Sequence, residues 1–209
     1  MKVTEFIDSR LEELALYKTQ FESSFYFLED DELFFIPTGE KWSAIECIEH
    51  INNLNEIYLP QLTEVCNKGR ASQEVLIQLS WWQKRLRNMM SPLEYTTAKK
   101  TRTRKKLQPR RIRNPQHKIS AQKVMENFIS DLSHLEKLIR IIPSSPELRN
   151  SKVMSAAPPI KFKSLTALEI LVPHIGRHLY QAERILNGGN IQKKAKKKDE
   201  DLIIPSNDS

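Results

Sequence analysis

VPHIGRHLYQAERIL, residues 172–186, carries two histidines four positions apart, His174 and His178, in a segment whose inward positions recur every three or four residues. That period is helical, and residues four apart in a helix stand one above the other on the same face. The inward stripe reads Leu171, His174, His178, Gln181 or Ala182, and Ile185. Thr166 and Glu169 in TALE fit a capping box that would start the helix, and Gly188 with Gly189 would close it. One metal ion could therefore touch both imidazoles.

WSAIECIEHINNLN, residues 42–55, reads as a second helix of the same kind. Ser43 and Glu46 form a capping box, and Trp42 and Cys47 are placed for the accompanying hydrophobic staple. Cys47, His50, Leu54 and Ile57 or Tyr58 continue an inward stripe, while Glu49, Asn52 and Glu56 face outward. Pro60 is expected to kink or interrupt this helix, because it removes a backbone donor and crowds the preceding turn. His50, His174 and His178 can meet only if the two helices pack side by side.

Two more long helices complete the pattern. Residues 4–28 place Ile7, Leu11, Leu14, Tyr17, Phe21, Phe25 and Leu28 on one face, after which EDDELFFIPTGEK breaks the period and Pro37 with Gly39 marks a turn. Residues 120–142 show Val124, Phe128, Leu132, Leu135, Ile139 and Ile142 at near-heptad spacing and stop at Pro143. A shorter segment, residues 72–90, puts Val75, Leu79, Trp82, Leu86 and Met89 on one side and reads as an accessory helix. The long connection PSSPELRNSKVMSAAPPIKFK, residues 143–163, leads to the last helix. The expected fold is all-α, a four-helix bundle over residues 1–190 with one accessory helix, and residues 191–209 form a disordered charged tail.

Composition agrees. A chain of 209 residues suits one well-packed core, glycine is scarce at 5 residues, and strand-like alternation is nearly absent. Cys47 and Cys66 lie too far apart along one helix to be bridged, so no disulfide framework is implied. The N-terminal MKVTEFIDSRLEE has no apolar signal core, and no run approaches the roughly 18 apolar residues of a membrane span, so a soluble, cytoplasmic protein is expected. The net charge of +7 is concentrated in two places. Residues 98–113 hold nine basic residues and no acidic one, and QKKAKKKDED in the tail holds five lysines before three acids.

The two histidine segments have a likeness. WSAIECIEHINNLNEIYLPQL resembles the second-helix signature of the DinB/YfiT-like four-helix bundle superfamily, in which a Trp-Ser cap leads into a helix bearing one metal histidine. HIGRHLYQAERIL resembles its fourth-helix signature, a His-x-x-x-His followed by Gln and then Glu-Arg-Ile, and Lys-Phe-Lys-Ser-Leu resembles the approach to that helix. The resemblance covers roughly residues 1–188. It implies that the two helices are adjacent and that His50, His174 and His178 are a metal triad. Gly176 departs from the family pattern, which more often has a polar or bulky residue between the histidines; a helix-interior glycine costs about 1 kcal/mol relative to alanine, so it should serve close packing or open space beside the metal.

A single histidine on an apolar stripe is usually a core residue bonded to a carbonyl or carboxylate, whereas three together leave several ring nitrogens to satisfy. A divalent metal resolves this by accepting one lone pair from each, and three imidazoles leave a coordination position open for water or substrate. Zinc is the first expectation and nickel the second. The expected function is a metal-dependent S-transferase or hydrolase acting on a small molecule, with a low-molecular-weight thiol as co-substrate in the first case. Glu46, Asn53 and Gln181 are candidate catalytic helpers by helical offset from His50 and His178. Cys47 reads as core, Arg177 as a structural ion-pair partner, and His134 and His117 as ordinary.

The basic run 98–113 reads as a solvated loop that could steer an anionic thiol or carboxylate. It lacks the interleaved aromatics of a nucleic-acid surface, so nucleic acid is not the expected partner. The alternative from another class is a non-catalytic binding protein that uses this run, on nucleic acid for example. No membrane partner is expected, and the sequence leaves the oligomeric state open, a homodimer included.

Overall fold

The computed structural model describes residues 1–69, 76–91, 103–114 and 119–201, with 113 and 189–201 described by their backbone alone. Its helices are α1 (Val3–Phe25), α2 (Asp30–Leu33), α3 (Ala44–Lys68), α4 (Trp81–Met90), α5 (Arg110–Arg113), α6 (Ala121–Ile141), α7 (Pro146–Asn150) and α8 (Ser164–Asp201), with 3-10 turns at Lys105–Leu107 and Ile142–Ser144. The expected all-α bundle is present as α1, α3, α6 and α8. Phe6, Phe21 and Phe25 of α1 and Phe128 of α6 are fully enclosed, and Phe21 and Phe128 meet with ring centroids 4.6 Å apart. No helix among the described residues is long and apolar enough to cross a membrane.

The bundle's middle helix is α3, which packs on α6 and α8. Its capping box forms as read: Glu46 N–H donates to Ser43 Oγ at 3.4 Å and Ser43 N–H to Glu46 Oε2 at 2.9 Å. Every residue from Ala44 to Asn55 is buried, including Glu49 and Asn52, which the sequence reading placed outward. Neighbours on several sides explain the difference. Asn52 Nδ2 donates to the Val124 carbonyl of α6 at 2.9 Å, and Glu49 is covered by the basic segment. Pro60 does not interrupt α3. It lies on an exposed position, so the Glu56 carbonyl it strands is on the side facing water, while Tyr58, Leu59 and Leu62 hold the surrounding turns in the core.

Other boundaries shift for local reasons. The accessory helix is shorter than expected because a Ser80–Gln83 capping box starts it at Trp81, and Leu76 is paired with Lys2 in an isolated bridge. Trp82 and Met89 are exposed rather than inward; Val75 and residues 72–74 lie outside the described residues. The connection 143–163 contains an unexpected antiparallel pair, β1 (Lys152–Met154) with β2 (Lys161–Lys163), three residues each and too short to show alternation. Gln61 of α3 anchors it, accepting from Met154 N–H at 2.7 Å and donating to the Met154 carbonyl at 3.1 Å. Helix α8 begins at Ser164, not at a Thr166–Glu169 box, since Glu169 is drawn instead to Arg10 of α1 at 2.6 Å. It also runs past Gly188 and Gly189, where the sequence reading closed it, to Asp201.

Candidate metal centre

His50 projects from α3 and His174 and His178 from α8, the pair of helices that the spacing alone could not bring together. One ring nitrogen from each lies within 4.8 Å of the others, and all three side chains are buried. Ring centroids are 5.1 Å apart for His50 and His174, 4.4 Å for His50 and His178, and 4.4 Å for His174 and His178. The half-buried Trp42, one residue before the α3 cap, lies 5.1 Å from His50 and 6.3 Å from His178 and walls one side.

Hydrogen bonds fix two of the tautomers. His50 Nδ1 lies 2.7 Å from the Leu107 carbonyl, which only accepts, so Nδ1 carries the proton and Nε2 the lone pair. His178 Nδ1 meets Gln181 Oε1 at 3.0 Å with the same consequence. His174 Nδ1 is buried with no hydrogen-bond partner among the described residues, a costly arrangement for a ring nitrogen in protein alone. Three neutral imidazoles, two of them oriented and one unsatisfied, fit a divalent metal ion, which accepts nitrogen lone pairs. Among the described residues, no acidic side chain joins this cluster.

Burial keeps the rings neutral. It pushes His50 down to about 4, only partly opposed by the Leu107 carbonyl. His174 and His178 are held well below the ordinary histidine value, first by burial and then by the other histidines and Arg177. The unfolded chain protonates these rings below about pH 6.5, whereas the folded chain resists until lower pH, so their contribution is present above that value and lost as pH falls. Metal-free protein should therefore have a lower urea midpoint at about pH 5 than at about pH 7.5. Asp131, whose carboxyl is raised to about 6 by burial, acts in the opposite direction, so equal midpoints in an Asp131→Asn background would mean that the rings are solvated.

The other candidates divide. Gln181 does touch the triad. Asn53 donates to the Gln108 carbonyl at 3.3 Å, and Glu46 binds Arg111 as well as capping α3, so both contact the basic segment. Cys47 is fully buried, its thiol pushed up by burial and then by Glu46 and Glu40, and it stands outside the cluster. Arg177 Nη1 donates to the Met89 carbonyl at the end of α4 at 2.8 Å. His134 Nε2 pairs with Thr63 Oγ1 at 2.8 Å, an ordinary role as expected, and His117 lies outside the described residues.

Gly176 serves close packing. A Cβ there would lie under 3.0 Å from the Tyr17 ring of α1, and Tyr17 is itself buried and bonded through its hydroxyl to Glu13 at 2.8 Å. Gly176→Ala gains about 1 kcal/mol of helix propensity but overpacks a fixed ring at a cost of about 1–3 kcal/mol. The steric term should win, with a net loss of stability in denaturant titration; a stabilised variant would show that Tyr17 yields freely.

The basic run is fastened to α3 from Gln108 to Arg111, while Arg104, Lys105 and Lys106 before it are exposed as expected of a solvated loop. Arg111 Nε donates to Glu46 Oε1 at 2.6 Å, Arg110 N–H to Glu49 Oε2 at 3.1 Å and Arg110 Nη2 to Glu56 Oε1 at 3.3 Å. Residues 98–102 lie outside the described residues. Leu107 is the contact that sequence reasoning missed. The available signal was charge: Glu46, Glu49 and Glu56 form an acidic stripe at helical spacing, the complement of the cationic run.

A helical bundle holding three convergent, neutral histidines on its second and fourth long helices defines the class of protein. A model of the DinB superfamily matches residues 19–182, a span that includes all three histidines, and the chain belongs to that superfamily. No curated protein and no solved structure gives a significant match.

Proposed function

We propose that this protein is a divalent-metal-dependent enzyme that uses His50, His174 and His178 to hold the ion and acts on a small molecule, as a thiol S-transferase or as a hydrolase. The observation that carries the reading is the unsatisfied, buried nitrogen of His174 beside two histidines already oriented by Leu107 and Gln181. Zinc suits three imidazoles best, with nickel next. When bound, such an ion supplies Lewis acidity at an open position, where it favours the deprotonated form of water or of a thiol. Leu107 and Gln181 keep the His50 and His178 rings from rotating away, and Trp42 shields two of the rings from water. Arg110 and Arg111 are engaged with α3 carboxylates, which argues for a built-in role over nucleic-acid binding.

Untagged protein should carry about one equivalent of zinc or nickel per chain, and His50→Ala less than about a tenth. Elemental analysis after gel filtration decides this; wild-type protein that neither carries nor takes up either metal would overturn the reading. Loaded protein offered an electrophile with and without a thiol then separates the two reactions, since a transferase consumes thiol and electrophile together and a hydrolase ignores the thiol.

A further inference from the structure

We infer that residues 103–111 are a positioning strap for His50, in which the Arg111–Glu46 ion pair holds the Leu107 carbonyl against His50 Nδ1 and so selects the tautomer that offers Nε2. The inference rests on the metal reading above only for its consequence in affinity; the tautomer exists in the metal-free protein as well.

The strap is built for this. Its 3-10 turn uses the carbonyls of Arg104 and Lys105, which accept from Leu107 N–H at 2.9 Å and Gln108 N–H at 3.2 Å, and so leaves the Leu107 carbonyl available. The next four residues are fastened to the α3 face in sequence. Gln108 offers its carbonyl to Asn53 at 3.3 Å, Pro109 is buried, Arg110 reaches Glu49 and Glu56, and Arg111 reaches both oxygens of Glu46 at 2.6 and 3.1 Å and the Lys41 carbonyl at 3.3 Å. Glu46 is 1% exposed, so its carboxylate depends on the guanidinium for much of its solvation. Glu46 and His50 lie one turn apart on α3, and Arg111 and Leu107 lie four residues apart on the strap. The ion pair and the carbonyl contact are thus two adjacent fastenings between the same two segments.

Arg104, Lys105 and Lys106 are exposed and make no ion pair among the described residues. Arg110 and Arg111, which follow Leu107, are the strap cations that pair with α3. A carbonyl on the second nitrogen of a ligating histidine orients the ring and raises its basicity, and loss of such a partner typically weakens metal binding tenfold or more.

The test compares wild type with Arg111→Ala, Arg111→Lys and Glu46→Gln; the last retains a capping side chain while removing the charge. Nitrogen-15 NMR of the imidazoles in metal-free protein reads the His50 tautomer, and competition with a chromophoric chelator reads affinity for zinc ion. Wild type should show the Nδ1–H form of His50, Arg111→Ala and Glu46→Gln a mixture of tautomers with about tenfold weaker zinc binding, and Arg111→Lys a return towards wild type. Melting temperatures of all four are measured alongside, and if Arg111→Ala does not fold, Glu46→Gln carries the comparison. An unchanged tautomer with zinc affinity within about twofold of wild type in the folded charge-removing variants would overturn the strap. If wild type binds no zinc, the metal reading fails, and the tautomer comparison still decides the role of Arg111.

Discussion

His178→Ala is expected to weaken zinc binding by a factor of about 100 or more, while the bundle remains folded. Structural zinc sites with four ligands provide about 10–16 kcal/mol of binding free energy, which gives roughly 3 kcal/mol for each ligand. At about 1.4 kcal/mol per tenfold, removal of one nitrogen costs about two orders of magnitude. The fold should survive because His178 lies beside Ala182, Leu179 and Ile175 in a helix whose packing does not depend on the imidazole. Thermal unfolding with and without zinc makes the contrast sharp: at about 100 times its dissociation constant, the ion stabilises wild type by about 2.7 kcal/mol, and the variant at the same concentration gains little. His134→Ala is the control, since that ring is bonded to Thr63 away from the triad. A His178→Ala protein with wild-type zinc affinity would remove His178 from the site.

Arg10→Ala should be the most destabilising single change outside the site, at about 3–5 kcal/mol. Arg10 of α1 grips Glu169 of α8 with two hydrogen bonds, Nε to Oε1 at 2.6 Å and Nη2 to Oε2 at 3.2 Å, and its guanidinium also lies 4.9 Å from the centre of the Phe6 ring. The Glu169 side chain is 1% exposed, so truncation of Arg10 leaves a buried carboxylate with Arg87 Nη1 at 3.6 Å as the one cation left to answer it among the described residues. That remaining cation places the expected loss towards the lower end of the range. A protein of this size shifts by about 2–4 °C per kcal/mol, so the melting temperature should fall by about 10 °C. Arg10→Met combined with Glu169→Leu should recover much of the loss, because an apolar pair removes both desolvation costs. A drop of less than about 1 kcal/mol for Arg10→Ala would mean that water screens the pair.

The same pair shows where a sequence is ambiguous. Thr166 and Glu169 stand at capping-box spacing, and a local reading gives Glu169 to the backbone three residues away. The tertiary structure gives it to a guanidinium 159 positions earlier in the chain, because a charge-assisted contact in the interior outweighs a cap. Pro60 and Gly188 mislead for a related reason: each weakens a helix locally, and neither acts strongly enough alone to end one. Ser43 with Glu46, by contrast, was legible in full, since both ends of that interaction lie within four residues and nothing from elsewhere in the chain competes for its backbone donors. Glu49 of α3 was misread as solvent-facing, while Glu56 is exposed as read, because hydrophobic periodicity records which side is apolar and cannot record that a distant cationic run covers part of the other side.

The sequence by itself determined the four bundle helices, their inward stripes and the three histidines on them, because 3.6-residue periodicity and capping are short-range physics. It also carried the family resemblance, since the motifs around His50 and His174 are contiguous. Tertiary structure alone decided that α3 and α8 bring the three rings within 4.8 Å, that the Leu107 carbonyl and Gln181 choose the tautomers of two of them, and that Arg110 and Arg111 close on the α3 carboxylates. Those contacts join residues that are remote in the chain, and apart from the His178–Gln181 turn, their energies depend on burial and distance, which exist only once the bundle has formed.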